Sequence, residues 1–353
     1  MKSTATARSL DGLVAAGALA PERAAALGRV AERYAIAVTP HLLDRLDGGD
    51  PAGPLGRQYL PSEQELEIRP EELADPIGDD AHSPVKGIVH RYPDRVLLKA
   101  LHACPVYCRF CFRREMVGPG GDALDPAELA AALDYIRARE EVWEVILTGG
   151  DPLMLAPRRL AGIVAGLDAV PHVGVVRLHS RVPVADPGRI DDTLVAALKA
   201  SDTAVWLAVH CNHPDELTAE ARSALARIAD AGIPLVSQTV LLRGVNDDAA
   251  VLEALFRALV RARVKPYYLH HGDLAPGTGH FRTDPARGRE LVRSLRGRVS
   301  GLCQPTYVLD IPGGHGKAPI GPDYLEGDAE AGYVVEDYRG NRHAYPPKPP
   351  GGA

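Results

Sequence analysis

The sequence predicts an α/β protein in which a parallel sheet curls into a barrel or part-barrel. From residue 95 onwards, short apolar runs typical of strands alternate with helix-like stretches. The six strand-like runs are Arg95–His102, Glu144–Thr148, Val173–His179, Val205–Val209, Pro234–Val240 and Val264–His270. The helix-like stretches between them are Pro126–Arg139, Pro157–Leu167, Asp191–Ala200, Asp215–Ala231 and Asp248–Arg263. Strands that alternate with helices form parallel sheets, and the functional side chains then lie at the carboxyl ends of the strands.

The segments outside this alternation contain less regular structure. In the first ninety residues Ala18–Ala35 has helical character, and turn formers make Asp75–Lys86 a loop. Tyr333–Tyr345 is predicted to form a hairpin that turns at Gly340 and Asn341. The chain is therefore expected to divide into a helical and irregular N-terminal extension (1–90), a (β/α)6 core (91–300) and a C-terminal loop and tail (301–353).

The bulk composition excludes several classes of protein. The 353 residues carry a formal net charge of −6, which disfavours sequence-independent binding of nucleic acid. The chain contains neither a run of eighteen apolar residues nor an apolar signal core near its N-terminus, so we expect a cytoplasmic protein without a membrane span. Three of the five cysteines fall within eight residues, a spacing that favours metal ligation over disulfides in a reducing compartment.

Those three cysteines form a loop directly after the first predicted strand. Cys104, Cys108 and Cys111 are spaced to bind three irons of a [4Fe-4S] cluster. The fourth iron then has no protein ligand and can chelate an amine and a carboxylate, as in the methionine end of S-adenosylmethionine (SAM). The alternatives are three buried cysteines that cluster by chance and a zinc site, which needs a fourth ligand such as His102. Cys211 and Cys303 are interpreted as small buried residues.

Glycines follow the second predicted strand, at Gly149 and Gly150 before Asp151. Glycine lets the backbone approach a ligand closely, and its exposed carbonyls can accept hydrogen bonds from an ammonium group. An ordinary strand-to-helix turn is equally compatible with this motif. His210 and Gln238 lie at or near the ends of later strands, where a histidine is as often a hydrogen-bond partner as a functional group.

Beyond these motifs, the sequence resembles the lysine 2,3-aminomutase family of radical SAM enzymes from about Asp75 to Tyr324. The matching strings are 90–98, 111–114, 238–247, 280–283 and 310–317. The resemblance implies a radical SAM partial (β/α)6 barrel and an isomerase that converts L-lysine to β-lysine by moving an amino group from C2 to C3. It also implies a [4Fe-4S] cluster, SAM, pyridoxal 5′-phosphate (PLP), a homo-oligomer, and an electron donor such as flavodoxin or ferredoxin.

The resemblance assigns roles to individual residues. Lys317 matches the lysine that carries PLP, and Arg91, Tyr92 and Arg95 match residues that bind this cofactor. An amine is the nucleophile that an aldehyde cofactor requires, and arginine suits a phosphate. Arg113 matches the arginine that binds the substrate carboxylate.

Further assignments concern SAM and the substrate side chain. The glycine motif at Gly149–Asp151 matches the motif that holds the SAM amino group, while His210 and Gln238 match positions near SAM. Asp273 and Asp310 match two carboxylates that hold the distal ammonium of the substrate. Two negative groups select a lysine side chain over a glutamate side chain, which they would repel.

The sequence also departs from the longer, clostridial-type members of this family. It has no cysteine after Cys303, and Asp248 stands where a further zinc ligand is expected, so we predict no structural zinc. His270 replaces a tyrosine near PLP, as in the short branch that makes (R)-β-lysine for elongation factor P. Asp310, however, is absent from that branch, so the sequence combines features of both forms.

Three alternatives to a lysine aminomutase stay open at this stage. The first is an aminomutase for another amino acid, and the second is a radical SAM enzyme that has lost PLP. The third is a non-catalytic iron–sulfur protein that binds a partner.

Overall fold

A computed structural model describes residues 5–46, 50–118 and 123–346. Its main feature is a nine-stranded sheet in which neighbouring strands follow chain order. The strands are β1 (Ile88–Tyr92), β2 (Arg95–Leu101), β3 (Glu144–Gly149), β4 (Val175–Ser180), β5 (Ala204–His210), β6 (Leu235–Val240), β7 (Val264–His270), β8 (Thr306–Asp310) and β9 (Lys317–Pro319). Strands β2 to β8 are parallel, whereas β1 and β9 pair antiparallel with their neighbours at the two edges.

Helices connect the parallel strands. They are α6 (Pro126–Arg137), α7 (Pro157–Asp168), α8 (Val182–Ala185), α9 (Asp192–Leu198), α10 (Ala219–Asp230), α11 (Ala249–Arg261) and α12 (Pro285–Leu295). Aspartates cap several of them, because a carboxylate satisfies N–H groups that the first turn leaves unpaired. Asp125 accepts from the Glu128 N–H before α6, and Asp248 accepts from the Ala250 and Val251 N–H groups before α11. The position at which family resemblance placed a lost zinc ligand therefore has a structural role as a helix cap.

The core lies between the sheet and these helices. Helix α11 buries Leu252, Leu255, Phe256 and Leu259, whose spacing of three, one and three residues places them on one face. Buried strand residues such as Leu147, Leu178 and Leu207 belong to the same apolar cluster. This packing fixes the strands and leaves their carboxyl ends free for polar side chains.

The first part of the chain forms a separate apolar cluster beside the barrel. Its helices are α1 (Leu10–Ala15), α2 (Pro21–Ala26), α3 (Gly28–Arg33), α4 (Pro40–Leu46) and α5 (Pro54–Tyr59). The cluster also includes Val106 and touches Cys108, both in the cysteine loop. Two backbone hydrogen bonds tie this loop to the extension, from the Tyr107 N–H to Ala37 O (3.1 Å) and from the Arg109 N–H to Gln58 O (2.8 Å). The extension thus supports the cysteine loop directly.

The predicted α/β fold class and all six predicted strands are confirmed. The prediction missed β8 as a seventh parallel strand, because this short strand is followed by glycine-rich turns and β9 instead of a helix. The predicted C-terminal hairpin is present as β11 (Gly332–Glu336) and β12 (Arg342–Tyr345), with β10 (Leu325–Asp328) completing a small sheet. The division at residues 90 and 300 stays a prediction. Within the described ranges, no helix is both long and apolar enough to cross a membrane.

Replacing Gly288 by alanine is expected to destabilise the barrel. An added Cβ would lie 2.0 Å from the hydroxyl of Tyr307, which is buried and bonds to His271 Nδ1 at 2.8 Å. Because the ring is fixed, we expect the free energy of unfolding to fall by about 1–3 kcal/mol in chemical denaturation.

The matched control is Gly162→Ala in α7, where nothing lies within 4 Å of an added Cβ. Alanine suits a helix interior better than glycine, so this variant should gain about 0.5–1 kcal/mol. Equal stability of the Gly288→Ala variant and the wild-type protein would contradict the packing argument.

Candidate active site

A cavity of about 440 Å³ lies within the curled sheet and opens at the carboxyl ends of its strands. Nine residues singled out from the sequence line it: Arg91, Tyr92, Arg95, Arg113, His210, Gln238, Asp273, Asp310 and Lys317. They come from both edges and the middle of the sheet, so only the closed curvature brings them together. Such a concave site with convergent polar groups is the expected place for ligand binding.

Lys317 reaches this cavity from the antiparallel edge strand. Pairing of β9 with β8 sets Lys317 opposite Asp310, and the lysine Nζ lies 2.7 Å from Asp310 Oδ1. The Lys317 backbone N–H donates to the hydroxyl of Tyr92 at 2.7 Å and thereby links β9 to β1 across the sheet opening. Gly316 has φ +89°, and a Cβ there would lie 2.8 Å from the same hydroxyl. Glycine is therefore required beside the lysine.

Two carboxylates with opposite ionisation behaviour face the cavity near Lys317. Burial opposes ionisation of Asp310, but its contacts with His270 and Lys317 outweigh burial and lower the pKa of the carboxyl to about 2. Burial, and then the negative charge of Asp310, raise the pKa of Asp273 to about 7. Within the described ranges, the Asp273 carboxylate has no hydrogen-bond partner. A second cation in this cavity would find Asp273 available.

Arg113 points into the same cavity and is held by a residue that sequence reasoning missed. Its Nη2 and Nε atoms donate to Asp79 Oδ2 at 3.0 and 3.3 Å. Asp79 is 1 % exposed and also lies near Arg91 (3.8 Å) and Lys99 (3.9 Å). Burial opposes its ionisation, but the charges of these three cations lower the pKa of Asp79. Asp79 follows turn formers in a predicted loop, so its local sequence gives no sign of this role.

Neutralising Asp79 is expected to destabilise the fold strongly. Asp79→Asn leaves three cations without their shared counter-ion, so the free energy of unfolding at pH 7 should fall by about 3–5 kcal/mol. Because the folded state depresses the pKa of Asp79, the stabilisation exists above the ordinary carboxyl pKa and is lost as pH falls through the folded value. Denaturation at pH 7 and pH 3 should therefore show a smaller difference from wild type at the lower pH.

The exposed neighbour Asp80 provides the control for this measurement. Asp80→Asn alters the same loop without touching the buried cations, and a change within about 0.5 kcal/mol is expected. A similar loss in both variants would show that the loop, and not the Asp79 charge, determines stability.

The cysteine loop lies beside this cavity, between β2 and the N-terminal extension. Cys104, Cys108 and Cys111 are half-buried and form no disulfide. Burial, and then the charge of Cys108, raise the pKa of the Cys111 thiol to about 11. Burial likewise raises the pKa of Cys104 and Cys108, and the other two cysteines contribute to the pKa of Cys104. All three cysteines also line one small cavity, so they face the same space.

The glycine motif abuts this loop at the end of β3. Gly149 has φ +103°, and a Cβ on Gly150 would lie 2.3 Å from the Ala103 carbonyl oxygen. The Gly150 N–H donates to Leu101 O at 2.6 Å. The Asp151 carboxylate is buried and accepts from the Arg181 N–H at 2.7 Å. The glycines thus bring two backbone segments together next to the cysteines, and Asp151 fixes the start of the following turn.

His210 and Gln238 occupy the middle of the cavity wall. Gln238 Nε2 lies 3.3 Å from His179 Nε2, and the His179 and His210 rings pack edge to face at 5.8 Å. Burial, and then the Arg181 charge, lower the pKa of His210 to about 3. The imidazole of His210 is therefore neutral at physiological pH and can accept or donate one hydrogen bond.

Similarity to named proteins identifies the family of this chain. Residues 99–255 match the family model "Radical SAM superfamily", and residues 292–350 match "Lysine-2,3-aminomutase". L-lysine 2,3-aminomutase from Clostridium subterminale is 44% identical over 305 residues, which cover 86% of this chain and 73% of the relative. The chain belongs to the lysine 2,3-aminomutase family. L-lysine 2,3-aminomutase from Acetoanaerobium sticklandii is 42% identical over a region that covers 91% of this chain and 78% of the relative.

The same family includes a second substrate class. Glutamate 2,3-aminomutase from Clostridioides difficile is 39% identical over a region that covers 84% of this chain and 70% of the relative. Overall identity thus differs little between relatives that act on different amino acids. The choice of substrate has to be argued from the side chains of the site.

Radical SAM enzymes use a [4Fe-4S] cluster with SAM, and lysine 2,3-aminomutases also use PLP, so the predicted cofactors are those of the family. The residues of this chain fit both groups. Three unpaired thiols on one loop match the soft iron of a cluster. Among the described residues, no three metal-binding side chains converge as the ligands of one ion do. A cluster avoids that requirement, because each thiolate binds a different iron. For PLP, the Lys317 amine faces a cavity that Arg91 and Arg95 also line.

Proposed function

We propose that this protein converts L-lysine to β-lysine by moving the amino group from C2 to C3. The observation that carries this proposal is the placement of Asp273 and Asp310 on the cavity that Lys317 also lines. The Lys317–Asp310 ion pair at 2.7 Å already holds a primary ammonium on a carboxylate. The same kind of contact is proposed for the distal ammonium of the substrate, with Asp273 as its second partner.

Individual side chains have separate roles in the proposed site. Lys317 binds PLP, while Arg91, Tyr92 and Arg95 hold this cofactor. Arg113 binds the substrate carboxylate through donors that are oriented by its bonds to Asp79.

Cys104, Cys108 and Cys111 bind the cluster, and Gly149, Gly150, Asp151, His210 and Gln238 surround SAM. When bound, the cluster with SAM supplies a carbon radical and PLP supplies the carbonyl that carries the migrating nitrogen. The protein's own contribution is to orient the substrate between Arg113 and the two carboxylates and to exclude water from the cavity.

Electrostatics favours lysine over glutamate as the substrate. A glutamate side chain would place a third carboxylate against Asp273 and Asp310, and like charges in a partly buried site repel strongly. Glutamate would require a cation or a neutral group at these positions. The 39% identity to a glutamate aminomutase therefore does not carry the substrate assignment.

The test is to purify the protein without oxygen, reconstitute iron, sulfide and PLP, and supply SAM, dithionite and L-lysine or L-glutamate. We expect β-lysine by chiral mass spectrometry and no β-glutamate. Lys317→Ala should abolish both β-lysine and the visible absorbance of lysine-bound PLP. Formation of 5′-deoxyadenosine without β-lysine would refute the lysine assignment and leave the SAM chemistry standing.

We propose a cytoplasmic setting for the protein. All five cysteines are free, as expected for a cytoplasmic protein in a reducing compartment. Cleavage of SAM needs one electron at low potential, which a flavodoxin or ferredoxin can deliver. As in the prediction from sequence, we propose that the protein forms a homo-oligomer. We also propose that it has no structural zinc, since Asp248 caps a helix.

A further inference from the structure

Arg181 has no part in the proposed function, yet it contacts the cysteine loop. It follows β4 and is 6 % exposed. Its Nη1 atom donates to the Cys108 sulfur at 3.2 Å. A hydrogen bond from a cation to a thiolate is among the contacts by which proteins change the reduction potential of an iron–sulfur cluster.

A buried network fixes the guanidinium in this position. Arg181 Nη2 donates to Glu216 Oε2 at 2.8 Å and to Gln58 Oε1 at 3.0 Å. Glu216 is 1 % exposed and also accepts from the hydroxyl of Tyr59 at 2.8 Å and the Asn212 N–H at 2.8 Å. Since Gln58 and Tyr59 belong to α5, the N-terminal extension helps to aim the cation at Cys108.

The positions of the Arg181 and Glu216 charges relative to Cys108 determine whether they raise or lower the reduction potential of a bound cluster. The Arg181 guanidinium contacts Cys108 through one nitrogen and Glu216 through the other, so it lies between the sulfur and the carboxylate. Reduction of a cluster adds one negative charge. In this poorly solvated surrounding, the nearer positive charge favours the added electron more than the farther negative charge opposes it.

We propose that Arg181 is a positioning residue that raises the reduction potential of the cluster through its hydrogen bond to Cys108, with Glu216 partly offsetting its charge. This inference rests on the cluster of the proposed function. It adds a residue that acts on the electron-transfer step, not on the substrate.

The experiment is a redox titration of the reconstituted holoenzyme without SAM, in which the reduced cluster is followed by electron paramagnetic resonance. Arg181→Met removes the charge and keeps an apolar side chain of similar length. We expect at least a tenfold fall in the equilibrium constant for reduction, or about 59 mV for one electron. Glu216→Gln removes the offsetting charge and should raise the potential.

A variant that merely loosens the structure would move both potentials in the same direction, so opposite signs are the decisive result. Arg282→Met is the matched control, because it breaks another buried pair, Arg282 with Glu72 at 2.9 Å, that has no contact with a cysteine. Its potential should equal that of the wild type. Unchanged potentials or shifts of the same sign in Arg181→Met and Glu216→Gln would overturn the proposal.

If Arg181→Met takes up no cluster, Glu216→Gln decides alone: a higher potential supports the proposal, and an equal or lower one overturns it. If the wild-type protein holds a cluster but makes no β-lysine, only the proposed function is refuted. If it makes β-lysine and both variants keep the wild-type potential, only the role of Arg181 is refuted.

Discussion

Replacing Asp273 by asparagine is expected to lower kcat/KM for L-lysine by about 100-fold at pH 8. Loss of one partner from a desolvated charge pair costs about 2–5 kcal/mol, and each 1.4 kcal/mol is a factor of ten. Asp273 is the cleaner of the two carboxylates for this test, because Asp310 also pairs with Lys317 at 2.7 Å. The initial rate at low lysine concentration measures the effect directly.

The pH dependence of the same variant tests the cause. Burial, and then the charge of Asp310, raise the pKa of Asp273 to about 7. Only the ionised carboxylate attracts an ammonium group, so kcat/KM of the wild type should fall as pH drops through about 7. The Asp273→Asn variant should lack this acid limb. Retention of the limb in the variant would show that another group titrates there.

The contribution of Asp273 to folding stability should have the opposite pH dependence from its contribution to kcat/KM. Because the folded state raises the pKa of Asp273 above its ordinary value of 3.8, the fold favours the protonated form. This contribution is fully present below the ordinary pKa and is lost as pH rises through about 7. The free energy of unfolding should therefore fall less between pH 4 and pH 7 in Asp273→Asn than in the wild type. The site thus gives up stability at the pH at which it binds lysine.

The sequence predicted those parts of the fold that depend on local pattern. Apolar periodicity located the six strands, and the five helix-like stretches predicted between them coincide with α6, α7, α9, α10 and α11. The Gly340–Asn341 turn of the terminal hairpin followed from its local turn chemistry. Strand β8 was missed because it is short and is followed by glycine-rich turns and β9 instead of a helix, and only pairing with β7 identifies it as part of the sheet.

Partners that are distant in the chain could not be predicted in this way. Asp79 lies in a loop of turn formers, and its burial follows from cations on β1, β2 and the cysteine loop. Glu216 is 158 residues from Gln58, yet the two side chains bond inside the protein at 3.3 Å. Family resemblance singled out Lys317 and Asp273, which both line one cavity, but it did not single out Asp79, which holds Arg113 beside them. Buried charges are specified by tertiary contacts, which no single stretch of sequence records.

Cys108→Ala is expected to abolish SAM cleavage, the largest single effect in the molecule. A cluster that depends on three thiolates loses one of its anchors in this variant. After anaerobic reconstitution, we expect less than about a tenth of the wild-type iron and sulfide, and no 5′-deoxyadenosine above background. Iron analysis reports the cluster independently of any substrate.

Cys211→Ala is the control that separates ligation from general disturbance by loss of a buried thiol. Cys211 is also buried and follows β5, but its sulfur contacts the carbonyl oxygen of His213 at 3.5 Å and not the cysteine loop. We therefore expect full iron content in this variant, with a modest loss of stability from the missing sulfur. Equal loss of iron in both variants would mean that the cluster responds to packing around β5, and the assignment of Cys108 as a ligand would fall. Full iron in Cys108→Ala would overturn it more directly, because a ligand cannot be removed without consequence for the metal it holds.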